Sequence, residues 1–276
     1  MRGGARNVRL QKRLKIIDMS GHSKWATIHR QKESTDQKRG QMFTKITNAI
    51  IVAVRAEGGV ADPELNFKLR LAIEKAREVN MPKENINRAI DRALGKTEGA
   101  GFAEITYEGY GPGGVGFLVE TATDNKQRTI QEVKNIFDKN GGSVASPGAV
   151  AFNFQKLGLI TIPILKESAE ADILRIIDLG AEEVELAEDG LLEIYVSPEK
   201  LIDFRNKLTG TGYQPQSVEL VMKPVNLVAV TDQKLANQVL GLIDKLESLD
   251  DVQKVYANFD ISDALIERGE KCELRS

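Results

Sequence analysis

The spacing of apolar residues changes once along this chain, near residue 100, and no other feature constrains the architecture as much. Before the change, apolar side chains recur at three- and four-residue steps: Phe43, Ile46, Ile50 and Val54, then Leu69, Ile73 and Ala76, then Ile86, Ala89, Ile90 and Ala93. Such steps put each set on one face of a helix. Gly58-Gly59, Asn80-Met81 and Gly95 close the three segments, and Pro82 stands where a first helical turn accepts proline. The pattern predicts a bundle of three or four helices over residues 23–95, packed apart from the body that follows.

Beyond the change, Glu104–Tyr110 and Val115–Thr123 read as strands rich in Val, Ile, Tyr and Phe. Asp124 or Asn125 caps a helix over 126–139, which Asn140-Gly141-Gly142 stops. Strands near 149–154 and 158–163 follow, joined by a turn at Lys156-Leu157. The second set comprises a helix near 168–178, strands near 183–187 and 191–196, a helix near 198–209 and a strand near 216–223. A helix near 232–247 and a strand near 252–258 end the pattern.

These elements describe an α+β chain: a helical N-terminal domain followed by two α+β domains, the third inserted in the second. Residues 1–18 read as a disordered basic extension and 19–98 as a helical nucleic-acid-binding domain. Residues 99–164 and 226–262 read as a ferredoxin-like β-α-β-β-α-β sandwich, closed by the last helix and strand. Residues 165–225 form the inserted α+β module and 263–276 a tail. Two α+β domains in simple tandem are the competing arrangement.

Charge divides along the same line. The net charge is only −2, but residues 1–95 hold 20 Lys+Arg against 10 Asp+Glu, and residues 96–276 hold 18 against 30. A head of +10 on a body of −12 points to a polyanion partner at the basic end. The densest stretch is His22–Lys45, which holds the only tryptophan, Trp25, and the only histidines, His22 and His29. Lys24, Arg30, Lys32, Lys38, Arg39 and Lys45 surround them, with Glu33 and Asp36 as the only acids. Cations around an aromatic ring can take phosphates and a stacked base. The alternative is a solvated helix face with Trp25 as a core anchor.

Several other chemistries fail on spacing. Gly109-Tyr-Gly111-Pro-Gly-Gly114 fits the dinucleotide G-x-G-x-x-G pattern, but a strand follows it where the pattern needs a helix, so it reads as a tight hairpin. His22 and His29 have only Glu33 and Asp36 nearby and no cysteine, so no metal and no cofactor is expected. Cys272 is the single cysteine, which excludes an intramolecular disulfide and fits a reducing compartment. No nucleophile motif appears, so no catalytic residue is assigned. No apolar run approaches the roughly 20 residues of a membrane span, and neither a membrane nor a small-molecule substrate is expected. Lys126 and Arg128 place cations in the first turn of a helix, against its dipole, which would suit a phosphate held there. The alternative is a capped surface helix.

Met19-Ser-Gly-His-Ser-Lys-Trp-Ala, Lys38-Arg-Gly, Phe43-Thr-Lys, Asn80-Met-Pro-Lys, Tyr107-Glu-Gly-Tyr-Gly-Pro-Gly-Gly114, Thr123-Asp-Asn and Asp250-Asp-Val-Gln-Lys-Val-Tyr256 together resemble the YebC/PmpR family over residues 19–262. The resemblance implies one helical and two α+β domains. It also implies a cytoplasmic bacterial DNA-binding protein of transcription regulation. A mitochondrial relative is a translational activator of cytochrome c oxidase subunit I, and bacterial members are tied to ribosome function. The resemblance begins at Met19, which reads as the start, and implies the bacterial cytoplasm rather than the mitochondrial matrix. Relatives are more uniformly basic across Arg30–Gln41, where this chain has Gln31, Glu33 and Gln41.

The expectation is therefore a non-enzymatic nucleic-acid-binding regulator. Its contacts would be Lys24, Trp25, His29, Arg30, Lys32, Lys38, Arg39, Lys45 and Arg128. Its partner would be DNA, or ribosomal RNA and the ribosome if the chain works in translation regulation. Residues 1–18 carry six cations and one acid but no apolar stripe, so the arm has little to bury. Deleting it should leave the melting temperature unchanged and weaken non-specific nucleic-acid binding; a large fall in thermal stability would show that the arm belongs to the fold.

Overall fold

The computed structural model describes residues 36–95, 102–164, 169–187, 190–262 and 265, and of 36–39 the backbone alone. The three apolar stripes become α1 (Asp36–Ala56), α2 (Phe67–Glu78) and α3 (Lys83–Ala93). Their shared core holds Ile46, Ile50, Val54, Leu69, Ile73, Ala76, Ile86 and Ala89, with Phe43 and Ile90 at its margin. Buried Asn66 fastens the first turn between helices. Its side chain caps α2 by accepting from Leu69 N at 2.9 Å, and donates to the carbonyls of Ala53 and Val60 at 2.8 Å each. One side chain thereby satisfies two backbone groups that helix ends leave unpaired, and a third in the connecting loop.

The first sheet has the order β3-β1-β2-β8, formed by β1 (Ala103–Tyr110), β2 (Gly116–Thr123), β3 (Ser143–Ala145) and β8 (Val252–Ala257). All three pairings are antiparallel. Helices α4 (Lys126–Lys139) and α7 (Gln233–Glu247) pack on it. Phe137 of α4 meets Phe117 of β2 edge to face at 5.7 Å. That contact explains the glycine loop. A Cβ at Gly109 would stand 2.7 Å from the Phe137 ring, and one at Gly111 would stand 2.4 Å from the Phe117 ring. The glycines make room for aromatic rings, and the loop turns directly into β2, so no nucleotide fold is built there.

The second sheet is separate. It comprises β4 (Phe154–Pro163), β5 (Glu183–Leu186), β6 (Leu191–Val196) and β7 (Ser217–Pro224), in the order β5-β6-β4-β7. Helices α5 (Ala169–Leu179) and α6 (Leu201–Gly210) complete a β-α-β-β-α-β run. The ferredoxin-like arrangement therefore belongs to the inserted segment, not to 99–164 with 226–262. The difference arises at β4. Its sequence reads as two short strands broken at Lys156-Leu157, but it is one ten-residue strand, and Gly158–Pro163 pair with Leu191–Val196. The residues near 149–153 are a loop and a 3-10 turn instead of a strand.

The described chain divides into two compact units, one of residues 36–154, 224–259 and 265 and the other of 155–223 and 260–262. The helical bundle falls inside the first, because α1 packs against β2 and β8. Within that unit the bundle keeps an apolar core of its own, and residues 36–95 contribute no strand to either sheet.

Within the first unit, Glu108 is buried on β1. Its carboxylate accepts from Gly148 N and Val150 N at 2.6 Å and from Ala151 N at 2.8 Å, pinning the loop before β4. Burial pushes the carboxyl pKa up, but the three N–H donors pull it down further, and the net shift is below its ordinary value. A depressed carboxylate stabilises the fold above its unfolded pKa and ceases to as pH falls through the folded one. Glu108→Ala should cost ~3 kcal/mol or more at neutral pH, from three donors left short. The penalty should shrink below about pH 4, and urea unfolding at the two pH values checks it.

Candidate nucleic-acid interface

The cations of the first unit sort into those that hold the fold and those that face solvent. Lys45 of α1 belongs to the first class. Its Nζ lies 2.6 Å from the carbonyl oxygen of Glu247, at the end of α7, and Gln41 reaches Ser248 O at 3.5 Å. A cation on the last carbonyls of a helix complements its dipole, so Lys45 docks α1 on α7. Arg55 Nε donates to Ala93 O at 3.3 Å, joining α1 to the end of α3. Arg70 donates to Pro63 O and Glu64 O at 2.9 Å each. Lys75, Arg77, Lys83 and Arg88 face solvent, and Arg88 has only a loose pair with Glu84 at 3.8 Å.

Lys38 and Arg39 fall in the opening turns of α1, one to two turns before Lys45. Lys24, Trp25, His29, Arg30 and Lys32 lie outside the described residues, as do His22 and Cys272.

Arg128 stands apart from these residues, in a network of its own. Asn125 caps α4 by accepting from Arg128 N at 3.1 Å. The Arg128 guanidinium donates to Asp251 at 2.7 Å and to Asp124 at 3.2 Å. Asp251 is buried and also accepts from Thr129 Oγ1 at 2.7 Å and Thr123 Oγ1 at 3.1 Å. Its hydrogen bond raises the guanidinium pKa, and its charge adds to burial in raising that of Tyr107. Arg92 of α3 approaches Asp124 at 3.8 Å and stacks over Phe102 at 5.6 Å. The compensation expected from a bound phosphate thus comes from two carboxylates, and the chain Arg92–Asp124–Arg128–Asp251 fastens the bundle to the sheet.

The inserted unit carries a different cluster. Lys223 reaches Glu183 at 2.8 Å and Glu185 at 2.9 Å across the face of its sheet, with the Tyr195 ring 3.7 Å below. Burial raises the pKa of Glu185 and, more strongly, of Tyr195. Among the described residues no group of three or more His, Cys, Asp and Glu is placed to hold a metal ion. None of the helices described is long and apolar enough to cross a membrane.

A shallow, open depression on α7 is bordered by Asn140, Asp232, Gln233, Lys234, Gln238 and Lys245, and its lining is as apolar as it is polar.

Comparison with known proteins covers nearly all of the described chain. The model of the TACO1/YebC protein N-terminal domain matches residues 23–96, and that of the TACO1/YebC second and third domain matches 102–259. A probable transcriptional regulatory protein of Chloroflexus aggregans is 52% identical over 252 residues, covering 91% of this chain and 99% of that one. One from a Sulfurihydrogenibium species is 45% identical over 91% of this chain and all of its own. The crystal structure of a conserved hypothetical protein from Aquifex aeolicus superposes with a TM-score of 0.75 at 41% identity, covering 83% of this chain and 93% of that one.

The network around Asp251 should be structural in solution. Asp251→Asn keeps the shape but loses the charge that three donors share, and should cost about 1–3 kcal/mol of stability. Arg128 is half exposed, so Arg128→Met should cost less. Chemical denaturation of both variants and the double variant checks the coupling.

Proposed function

Since the chain belongs to the TACO1/YebC family, we propose that it is a non-enzymatic regulator of gene expression that acts by binding nucleic acid through its basic head. The observation that carries this reading is the charge division, +10 over residues 1–95 against −12 over the remainder. Lys38 and Arg39 stand at the start of a helix that is docked by Lys45 rather than free to swing. The contact set is Lys24, Trp25, His29, Arg30, Lys32, Lys38 and Arg39, with Lys45 and Arg128 serving to hold the surface in place.

The buried carboxylates support a role without catalysis. Glu108 is committed to three backbone N–H groups, Asp251 to three side-chain donors, and Asp172 to the Tyr213 hydroxyl at 2.7 Å. A carboxylate so saturated is poorly placed to move protons for a substrate.

DNA, met in the cytoplasm, is the first ligand, following the transcriptional naming of the relatives. Ribosomal RNA is the second, because counterion release on phosphate contacts does not by itself separate the two polyanions.

Reversing Lys38 and Arg39 to glutamate tests the reading. Binding should weaken, and the slope of log K against log salt should flatten by about two contacts, at ~0.7–0.9 each. Stability should barely change. Trp25→Ala should cost about 1–3 kcal/mol of binding if the ring stacks on a base, and about 3–5 kcal/mol of stability if it anchors the core. Titrations of duplex DNA and of structured ribosomal RNA at matched salt distinguish the ligands. Unchanged binding to both after the reversals would sink the reading.

A further inference from the structure

The second sheet has one face turned away from α6. A Cβ at Gly158 would stand 2.6 Å from the Leu201 side chain, so Gly158 faces that helix. Side chains alternate along a strand, so Leu157 and Leu159 point the other way. They form a small apolar cluster with Tyr195, and Val221 of β7 packs against it. The same alternation places Glu193 beside Tyr195 on β6, and Glu219 and Lys223 on either side of Val221. Glu183 stands opposite Tyr195 and Glu185 opposite Glu193 across β5 and β6, so both join this face.

The face is acidic beyond what folding asks of it. Its strands carry four glutamates and a single cation, Lys223. Lys223 Nζ reaches Glu183 at 2.8 Å and Glu185 at 2.9 Å above the Tyr195 ring, and the Tyr195 hydroxyl donates to Glu193 at 2.9 Å. Glu185 and Glu193 are directly opposite each other, a pairing that like charges make unfavourable. Burial raises the Glu185 carboxyl pKa, Lys223 lowers it, and the charges of Glu183 and Glu193 add to the rise. Stability alone would not select this arrangement. Among the described residues no group of three or more such side chains is placed to hold a metal ion, so the charge suits cations of another kind.

We propose that this face docks the chain's own basic arm, residues 1–18, in competition with nucleic acid; the proposal rests on the function given above and adds a regulation to it. The arm supplies Arg2, Arg6, Arg9, Lys12, Arg13 and Lys15 against one acid, Asp18. It needs no apolar stripe. The aliphatic stems of lysine and arginine lie along Leu157, Leu159 and Val221 while their heads reach the carboxylates. Exposed ion pairs add little to stability, so the arm docks without becoming part of the core. Residues 19–35 can span up to about 60 Å when extended, so reach does not limit the contact. The tether also gives the arm a high effective concentration, which a second copy or a free basic protein lacks. The face thus serves as a weak internal polyanion. A duplex, with one charge per roughly 1.7 Å of axis, displaces it, whereas a sparsely charged anion does not.

Two readouts on the full chain test this, duplex DNA titration at low salt and limited trypsin cleavage within residues 1–18 without nucleic acid. Glu183→Gln with Glu219→Gln removes two charges and leaves Lys223 its bond to Glu185. Duplex affinity should rise about fivefold, the worth of two exposed ion pairs. The same substitutions in a chain lacking residues 1–18 should change nothing. Cleavage of the arm should be slow in the wild type at low salt, fast at high salt, and fast at either salt in the double variant. An equal gain of affinity in the truncated chain would overturn the proposal, because the face would then repel nucleic acid directly. Cleavage at one rate in both chains would overturn it as well. Protection that grows with protein concentration would overturn the intramolecular contact and assign the face to a second copy. If the wild type binds no duplex, the function above fails, and the cleavage rates alone still decide whether the arm docks.

Discussion

A single buried carboxylate, Asp251, holds three parts of the first unit in register. It takes hydrogen bonds from Thr123 at the end of β2, from Thr129 in the first turn of α4, and from Arg128. A buried charge is costly unless paired and fully hydrogen-bonded, and here both conditions are met within one turn of helix. The residue sits just before β8, so satisfying its charge also sets where that strand begins beside β2. Arg128 then shares Asp124 with Arg92 of α3, which carries the same constraint into the bundle.

That connection bears on how a basic head can work. A bundle on a flexible tether would present its cations in many orientations and lose entropy on ordering them. Here α1 is fixed twice, by its close approach to β2 and β8 and by Lys45 on the last turn of α7. The inserted unit leaves and rejoins this platform at Asn153 and Asn226. Those two residues bond to each other through both backbone and side chain, with Asn258 adding a third amide to Asn226 O at 3.1 Å.

Local pattern made much of this legible. The helix over 126–139 coincides with Lys126–Lys139, because Asn125 and the glycines after Asn140 are signals within one turn of its ends. The buried set of α2 is Leu69, Ile73 and Ala76, the stripe read from spacing alone. Strand β3 was missed because three residues between Gly142 and Pro147 are too few for alternation to show. The internal partners of Arg128 and Lys45 were not legible, for a different reason. Their partners, Asp251 and Glu247, lie 123 and 202 positions away, so no window of sequence contains both ends of the bond.

The same distance effect explains why net charge is a poor map of a binding surface. A cation counts equally in a composition whether it faces solvent or caps a helix, but only the first kind can exchange counterions for phosphate. In the bundle, Arg55, Arg70 and Arg92 are drawn into carbonyls, a carboxylate and a ring, which leaves Lys75, Arg77, Lys83 and Arg88 at the surface. In the acidic body the error runs the other way. Among the described residues Lys245 is bonded to an amide rather than to an acid, which a sum of local charges does not reveal. What a polyanion meets is set by how each cation is partnered, and partnering is a property of the fold.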